Sequence, residues 1–456
     1  MSTAVDVVVV GLGPGGEAAA SELAQAGLAV VGIDQRLVGG ECPYYGCIPT
    51  KMMVRAADLL AEGRRVSAMA GHSSIGADWA PVASRISAEA TDGWDDAVAV
   101  ERLEKSGVTF VRGHGRLTGV GAVEVAGRTF TASRGVLLNT GTEPGVPPVP
   151  GLADTPYWTN RDAVRLRELP ESLVVLGGGA IGCELAQVFA RFGVAVTLIE
   201  VAGRILSLEE PESSRLVAGV FADEGIEVIA GAEVSSVEYV ESRFAVHLGE
   251  RVVPAERLLV AAGRRPNLTD IGLEAVGLDP TARRIETDDR MRAGDGLWAI
   301  GDITGKGNFT HMSMYEAGVA TRDILGQGGP AADYRAVPRV TFTDPEVGSV
   351  GLTERQAREA GLAVRTGSTD LPSSTRGWIH QQGNAGLIKL VEDSERGVLV
   401  GATSVGPAGG EVLSVLTLAV HAAVPTATLR TMVGAFPTFH RAIADALSDL
   451  AAEPGD

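Results

Sequence analysis

The chain has 456 residues, an apolar fraction of 45% and a formal net charge of −18. The length suits about three domains with ordinary globular cores. The acidic balance argues against nucleic acid, whose phosphates need a basic face, and against anionic membrane surfaces.

No uninterrupted apolar run is long enough to span a bilayer. The start, Met1-Ser2-Thr3-Ala4-Val5-Asp6, lacks the basic opening and cleavage site of an export signal. With only three cysteines, the expectation is a reducing, cytoplasmic setting, where a cysteine pair is catalytic or metal-binding rather than a staple. No second Cys/His pair at ligand spacing appears, so no metal site is expected.

Residues 5–10 are β-branched, the pattern of a buried parallel strand. Gly11-Leu12-Gly13-Pro14-Gly15-Gly16 follows, then an Ala-rich helical stretch, 17–26, stopped by Gly27. Such glycines let the backbone approach a pyrophosphate seated on the helix N-terminus. Residues 28–33 read as the next strand. Asp34 ends it, about 20 residues past Gly11, the spacing of a ribose-binding acid.

The segment Gly39-Gly40-Glu41-Cys42-Pro43-Tyr44-Tyr45-Gly46-Cys47-Ile48-Pro49-Thr50-Lys51 carries two of the three cysteines, and a helical run, 52–60, follows. Alone, the pair reads as a redox disulfide, as two buried thiols or as half a metal site. Residues 55–105 read as helices with a loop near 71–76. Residues 108–111 and 122–125 read as strands of an antiparallel piece joined by Gly-rich turns that include Gly115. Residues 135–142 are a strand ending in Asn139-Thr140-Gly141. The four prolines of 143–151 mark a linker and a domain boundary.

The opening pattern then repeats. A strand at 173–176 leads into Gly177-Gly178-Gly179-Ala180-Ile181-Gly182, a helix at 183–192 and a strand at 194–199 that Glu200 ends. Two such units imply two dinucleotides bound end to end, so that a hydride or electron passes between them. Glu200 accepts from a ribose 2′-OH and repels a 2′-phosphate, which favours NADH over NADPH; Arg204 nearby weakens that preference. Glu209, Glu210 and Glu212 read as a solvated loop.

Strands at 258–262 and 297–300 end in Gly263-Arg264 and Gly301-Asp302. Asp302 either holds a cofactor hydroxyl or caps a turn. A helix is expected from near Ser313, after His311 and Met312, and a lone His there reads as structural. Beyond 337, strands at 339–343, 387–392 and 398–405 and helices at 411–422 and 440–450 form an α+β domain without a nucleotide motif. The expected division is 1–150, 151–267, 268–335 returning to the first domain, and 336–456.

Together these motifs resemble the flavoprotein disulfide reductases, or class I pyridine nucleotide-disulfide oxidoreductases, the family of dihydrolipoamide dehydrogenase, glutathione reductase and mercuric reductase. The likeness runs through both glycine turns, the segment from Gly39 to Lys51, Asn139-Thr140-Gly141, Gly263 to Asn267, Ala299 to Asp302 and Thr343-Asp344-Pro345-Glu346-Val347. It implies an α/β fold with two Rossmann-like domains, for FAD and NAD(P), and a C-terminal α+β dimerisation domain.

The resemblance implies FAD against Gly11, Gly13, Pro14, Gly15, Gly16, Gly40, Glu41, Gly115, Thr140, Gly141 and Gly301. Asp34 would take its ribose and Asp302 its ribityl and pyrophosphate region. The nicotinamide cofactor would lie against Gly177, Gly179, Ile181, Gly182, Glu200, Gly263 and Arg264. Lys51 and Glu184 would pair beside the flavin and nicotinamide. His311 and Met312 would offer backbone groups to the flavin pyrimidine. Cys47 would be the thiol next to the flavin and Cys42 the interchange thiol. The family also implies a homodimer whose active sites are completed by the partner chain.

One departure changes the expected chemistry. Dithiol-using members carry His-Pro-Thr-x-x-Glu, whose His moves the proton of the interchange thiol. Here the stretch is Phe436-Pro437-Thr438-Phe439-His440-Arg441. His440 is the candidate replacement, the alternative being a packing or surface His. Mercuric reductases also lack this His but use an extra C-terminal cysteine pair, and no cysteine follows Cys183 here. A Phe at this place is similar to 2-ketopropyl-coenzyme M oxidoreductase/carboxylase, whose dithiol cleaves a C–S bond. Glu41, where the family has Thr, and Tyr44-Tyr45 are further departures.

The expected activity is electron flow from NADH through FAD to a Cys42/Cys47 disulfide and on to a thiol, disulfide or C–S substrate. The alternatives are a flavin-centred diaphorase or quinone reductase with non-essential cysteines, and a redox-sensing flavoprotein.

Overall fold

The structure is a computed structural model and describes residues 2–452. The Val-rich opening forms the strand Ser2–Val10, whose last four residues are buried. It lies between Val30–Asp34 and Arg128–Leu138, parallel to both. Thr109–Arg112 and Leu297–Ala299 extend the parallel sheet at either side. A strand covered on both faces has no polar side to spare, and Val7, Val8 and Val9 are fully buried.

Thr109–Arg112 corrects an expectation: it pairs parallel with Val30–Asp34. It arrives from the helix Ala97–Lys105, and a crossover through a helix returns a strand in the same direction. Only Arg116–Gly119 and Ala122–Val125 build the antiparallel appendage, against Arg128–Leu138.

The chain divides into two units. One comprises the residues up to Thr50 with 83–145 and 264–333; the other comprises 51–82, 146–263 and the residues from Tyr334 on. The short strands Thr142–Pro144 and Arg264–Pro266 pair within the first unit, so Arg264 to Asn267 group with the first nucleotide fold. The proline-rich linker therefore opens with a strand.

In the second unit, Glu227–Ala230, Ala195–Glu200, Ser172–Leu176 and Arg257–Val260 form a parallel sheet in that order. From Pro338, five antiparallel strands make a separate sheet. The helices Gly409–His421 and Ile443–Ala451 cover it through Leu413, Leu416, Ala446 and Leu447.

Glu209 and Glu210 are not solvated. They are 8% and 2% exposed. Arg339 stands 2.8 Å from Glu209, and Lys389 stands 3.0 Å from Glu210, 3.4 Å from Glu212 and 2.8 Å from Glu354. The balancing cations lie on strands far along the chain, where a local charge pattern gives no sign of them.

Three helix starts also move. The cysteine helix is Cys47–Met69, beginning at the second cysteine. The helix after Phe309 is Thr310–Ile324, with His311 in its first turn. Residues Phe439–Ala442 form a 3-10 turn before the final helix, so His440 is not on that helix.

Candidate active site

The two glycine turns solve one backbone problem twice. At Gly11 and Gly16 any side chain would collide with a carbonyl, that of Asn139 and that of Gly11 respectively. At Gly13 an added Cβ meets only the Asn139 amide, at 3.3 Å. The first and last glycines therefore serve packing, while the middle one leaves the helix Pro14–Gln25 approachable at its N-terminus. Gly177, Gly182 and Gly179 repeat this arrangement, with open space beyond Gly179. Ile181 lies in the first turn of the helix that follows, Ala180–Arg191.

Each turn is locked to its acid. Asp34 accepts from the Leu12 and Arg36 N–H groups, both at 2.7 Å. Glu200 accepts from the Gly178 N–H at 2.6 Å and the Ala202 N–H at 2.7 Å. Burial pushes the Asp34 carboxyl above its ordinary range, and the Leu12 bond pulls it partly back. Arg204 donates to the carbonyls of Leu206, Ser207 and Glu209. Its guanidinium is thus committed to the loop backbone.

A cavity of about 240 Å³ opens beside the first turn, lined by Gly11, Asp34, Gly115 and Thr140 among others. The Thr140 hydroxyl is buried there without a hydrogen-bond partner. An unmade bond of this kind costs about 1–3 kcal/mol. A ribose or phosphate oxygen would satisfy it, so these residues fit the nucleotide portion of FAD.

The cysteine segment is pressed against the same turn. Gly39 donates to the Leu12 carbonyl at 2.7 Å. Gly40 has φ +67°, and a Cβ on it would come within 2.9 Å of the Gly13 Cα. Cys42 then sits half-buried in the short helix Glu41–Tyr44, and Cys47 is exposed at the head of the next helix. The two thiols lie within hydrogen-bonding reach. The Cys42 thiol is pushed far up, first by Cys47 and then by burial. The Thr310 hydroxyl, 3.5 Å from Cys47 Sγ, lowers it.

Asp302 closes a second polar chain in this unit. The Thr142 hydroxyl donates to Asp302 at 2.5 Å, and Arg264 Nε donates to the Thr142 oxygen at 2.6 Å. Arg264 also stands 3.5 Å from Glu41. Burial raises the Asp302 carboxyl, against Thr142 and Arg264, which lower it. Gly141 and Gly301 turn the backbone at positive φ beside this chain, and Gly263, at the end of a stretch of the second unit, also has positive φ. His311 stacks on Phe309 with ring centroids 5.1 Å apart, and Met312 is buried behind it.

In the second unit, Lys51 Nζ stands 2.7 Å from Glu184 Oε2, and Glu184 is 4% exposed. Phe342 braces both: its N–H donates to Glu184 at 2.9 Å and its ring lies 4.7 Å below Lys51 Nζ. Phe436 is 71% exposed. His440 Nε2 lies 3.3 Å from the Thr438 hydroxyl.

Sequence reasoning missed Thr310, Thr142 and Phe342. Each is an ordinary residue type whose role depends on a distant partner. Phe342 alone carried a signal, its place before Thr343-Asp344-Pro345.

Each unit thus holds one glycine turn locked to an acid, the first beside the thiol pair and the second in the unit that carries the Lys51–Glu184 pair, the arrangement of a nucleotide-dependent oxidoreductase. Residues 5–318 match the family model for the pyridine nucleotide-disulphide oxidoreductases, and residues 337–447 match its dimerisation domain. The chain belongs to this family of FAD-dependent, pyridine nucleotide-linked enzymes. It is 33% identical to dihydrolipoyl dehydrogenase of Chlamydia muridarum over 96% of this chain and 95% of the relative. It is 31% identical to mercuric reductase of Bacillus cereus over 95% of this chain and 69% of the relative. The solved structure of RclA, an HOCl-induced flavoprotein disulfide reductase of Escherichia coli, superimposes with a TM-score of 0.85 at 28% identity, covering 97% of this chain and 99% of that one.

Among the described residues, no helix is long and apolar enough to cross a membrane, and no group of three His, Cys, Asp or Glu side chains forms a metal-binding cluster.

Proposed function

We propose that this enzyme takes electrons from NADH and delivers them through Cys42 and Cys47 to a sulfur substrate whose leaving group departs without a proton from the protein. The observation that carries this reading is Phe436, which stands where the family's proton-transferring His belongs. When bound, FAD supplies the two-electron relay between nicotinamide and thiols.

The Cys42 thiolate attacks one sulfur of a disulfide R–S–S–R′, forms a mixed disulfide and releases R′S⁻. The Cys47 thiolate then attacks the Cys42 sulfur and releases RS⁻, so two electrons have passed to the substrate. Leaving thiolates of low pKa depart fastest. Without a His to protonate them, thiols of high pKa are poor leaving groups. Aromatic or otherwise electron-poor disulfides are therefore the favoured class, ahead of lipoamide or glutathione disulfide. The Lys51–Glu184 pair would position the nicotinamide side, in a homodimer whose partner chain completes each site. Glu200, with Arg204 tied to its own loop, supports NADH over NADPH.

The test is anaerobic titration with NADH of wild type, Cys42→Ser and Cys47→Ser, followed by turnover on an aromatic disulfide, lipoamide, a quinone and Cu(II). Cu(II) belongs in the panel because RclA has been solved as its Cu(II) complex. Wild type should take up a second reducing equivalent and show a thiolate-to-flavin charge-transfer band, and Cys42→Ser should lose turnover on the aromatic disulfide. One equivalent, with full quinone turnover in Cys42→Ser, would sink the dithiol reading in favour of a flavin-centred quinone reductase. Introducing Phe436→His together with Arg441→Glu should raise lipoamide turnover about 10²-fold, the lower range for a positioned acid–base group. No gain would assign the block to pocket shape.

A further inference from the structure

The thiol pair lacks the family's His, yet its sulfurs are not without a polar neighbour. Thr310 is half-buried in the first turn of Thr310–Ile324, and its hydroxyl lies 3.5 Å from Cys47 Sγ. A hydroxyl accepts from a thiol and donates to a thiolate, so one rotor serves both states of the pair. We propose that the Thr310 hydroxyl is the hydrogen-bonding group that steadies the reactive thiolate of the Cys42/Cys47 pair, without taking over the proton transfer that Phe436 cannot perform.

The assignment rests on reading these cysteines as the redox pair. Thr310 is no general base, since an aliphatic hydroxyl does not ionise in this pH range. It stabilises the charge and leaves the proton to solvent. Cys47 first and burial second push the Cys42 thiol up, and the Thr310 hydroxyl is the first group that pulls it back. The charged and titratable groups around the pair are few. Glu41 precedes Cys42 and faces Arg264 at 3.5 Å. Lys51 lies one turn beyond Cys47 on the same helix, 2.7 Å from Glu184. His311 follows Thr310, with its ring on Phe309. Tyr44 and Tyr45 lie between the cysteines, and burial pushes the Tyr44 phenol up to about 12, so it stays neutral through the working range.

The experiment is pulsed iodoacetamide alkylation of the reduced holoenzyme from pH 5.5 to 10. Mass spectrometry reads Cys42 and Cys47 separately in wild type, Thr310→Val and Thr310→Ser. Val keeps the shape and removes the hydroxyl; Ser keeps the hydroxyl. In Thr310→Val the alkylation midpoint of the more reactive cysteine should rise by about one pH unit, a tenfold slower rate at fixed pH below it. Thr310→Ser should return it to the wild-type value. Cys183, fully buried and with its thiol pushed up by burial, should stay unlabelled throughout and reports folding in every sample.

An unshifted midpoint in Thr310→Val overturns the proposal. So does a shift that Ser fails to rescue, which would trace the effect to the methyl group. The readout needs no turnover. A failed substrate panel with a Thr310-dependent midpoint therefore counts against the proposed activity alone. A dithiol-dependent turnover with an unshifted midpoint counts against Thr310 alone.

Discussion

The proposed preference for NADH rests on a single carboxylate in the second glycine turn. Both Glu200 oxygens already accept backbone N–H groups, which fixes the side chain and leaves lone pairs for a ribose hydroxyl. Its charge opposes a 2′-phosphate. The only cation that sequence inspection set against this preference, Arg204, donates to three carbonyls of its own loop. Glu200→Ser should therefore raise kcat/KM for NADPH relative to NADH by about tenfold, equivalent to about 1.4 kcal/mol. Both KM values should also rise, because the turn loses its anchor at Gly178. Steady-state kinetics with the two coenzymes decide it. An unchanged ratio would mean that discrimination lies elsewhere.

At the scale of elements, the charged cluster on Leu387–Asp393 shows what holds the second unit's loops to its antiparallel sheet. Burial alone would lower the Lys389 ammonium, but Glu354 and Glu210 outweigh it and hold it above its ordinary value. Glu354 is correspondingly held low, by Lys389 first. The sign follows for each group. The Glu354 contribution is present above its unfolded value of about 4.3 and is lost as pH falls through the lowered native one. The Lys389 contribution is full below about 10.4 and is lost as pH rises through the raised native value. Lys389→Met should cost about 3–5 kcal/mol at pH 7, because Glu210 would be left buried and unpaired. The loss should shrink near pH 4, below the unfolded Glu354 value, as that carboxyl begins to take up its proton. Urea unfolding at the two pH values measures both; equal losses would refute the assignment.

This cluster also marks the limit of what the chain shows in one dimension. The glycine turns were legible because collisions at Gly11, Gly16, Gly177 and Gly182 demand those residues at fixed spacing, and each acid follows a strand of set length. The cysteine segment was legible because it combines thiols with turn residues. Glu209 and Glu210 were not, since what neutralises them is Arg339 and Lys389, well over a hundred residues away. Thr310 was hidden for the same reason: nothing in Phe309-Thr310-His311 announces a sulfur from a different helix. Local geometry shows in a sequence, whereas electrostatic partnership across a fold does not.

At the scale of the whole molecule, the region matched as a dimerisation domain leaves large apolar side chains in solvent. Trp378 is 72% exposed, Leu418 61% and Val433 97%. Leu418 interrupts a helix whose neighbours Leu416, Ala419 and Val420 are buried. Single exposed apolar residues are ordinary on a surface, but here they fall in the region matched as a dimerisation domain, where a partner would cover them. In this family that partner is a second copy. Burying one such side chain contributes about 2 kcal/mol, and a charge in its place adds a desolvation penalty. Trp378→Glu and Leu418→Glu should each weaken dimerisation at least about 30-fold, since each 1.4 kcal/mol is tenfold. Light scattering across a dilution series should show wild type as a dimer and both variants shifting to monomer. Aromatic-disulfide turnover per chain should fall with the dimer fraction if the partner completes the site. Reduction by NADH, which uses groups within one chain, should persist in the monomer. A variant that stays dimeric, with an unfolding midpoint independent of concentration, would place the interface on another face of the domain.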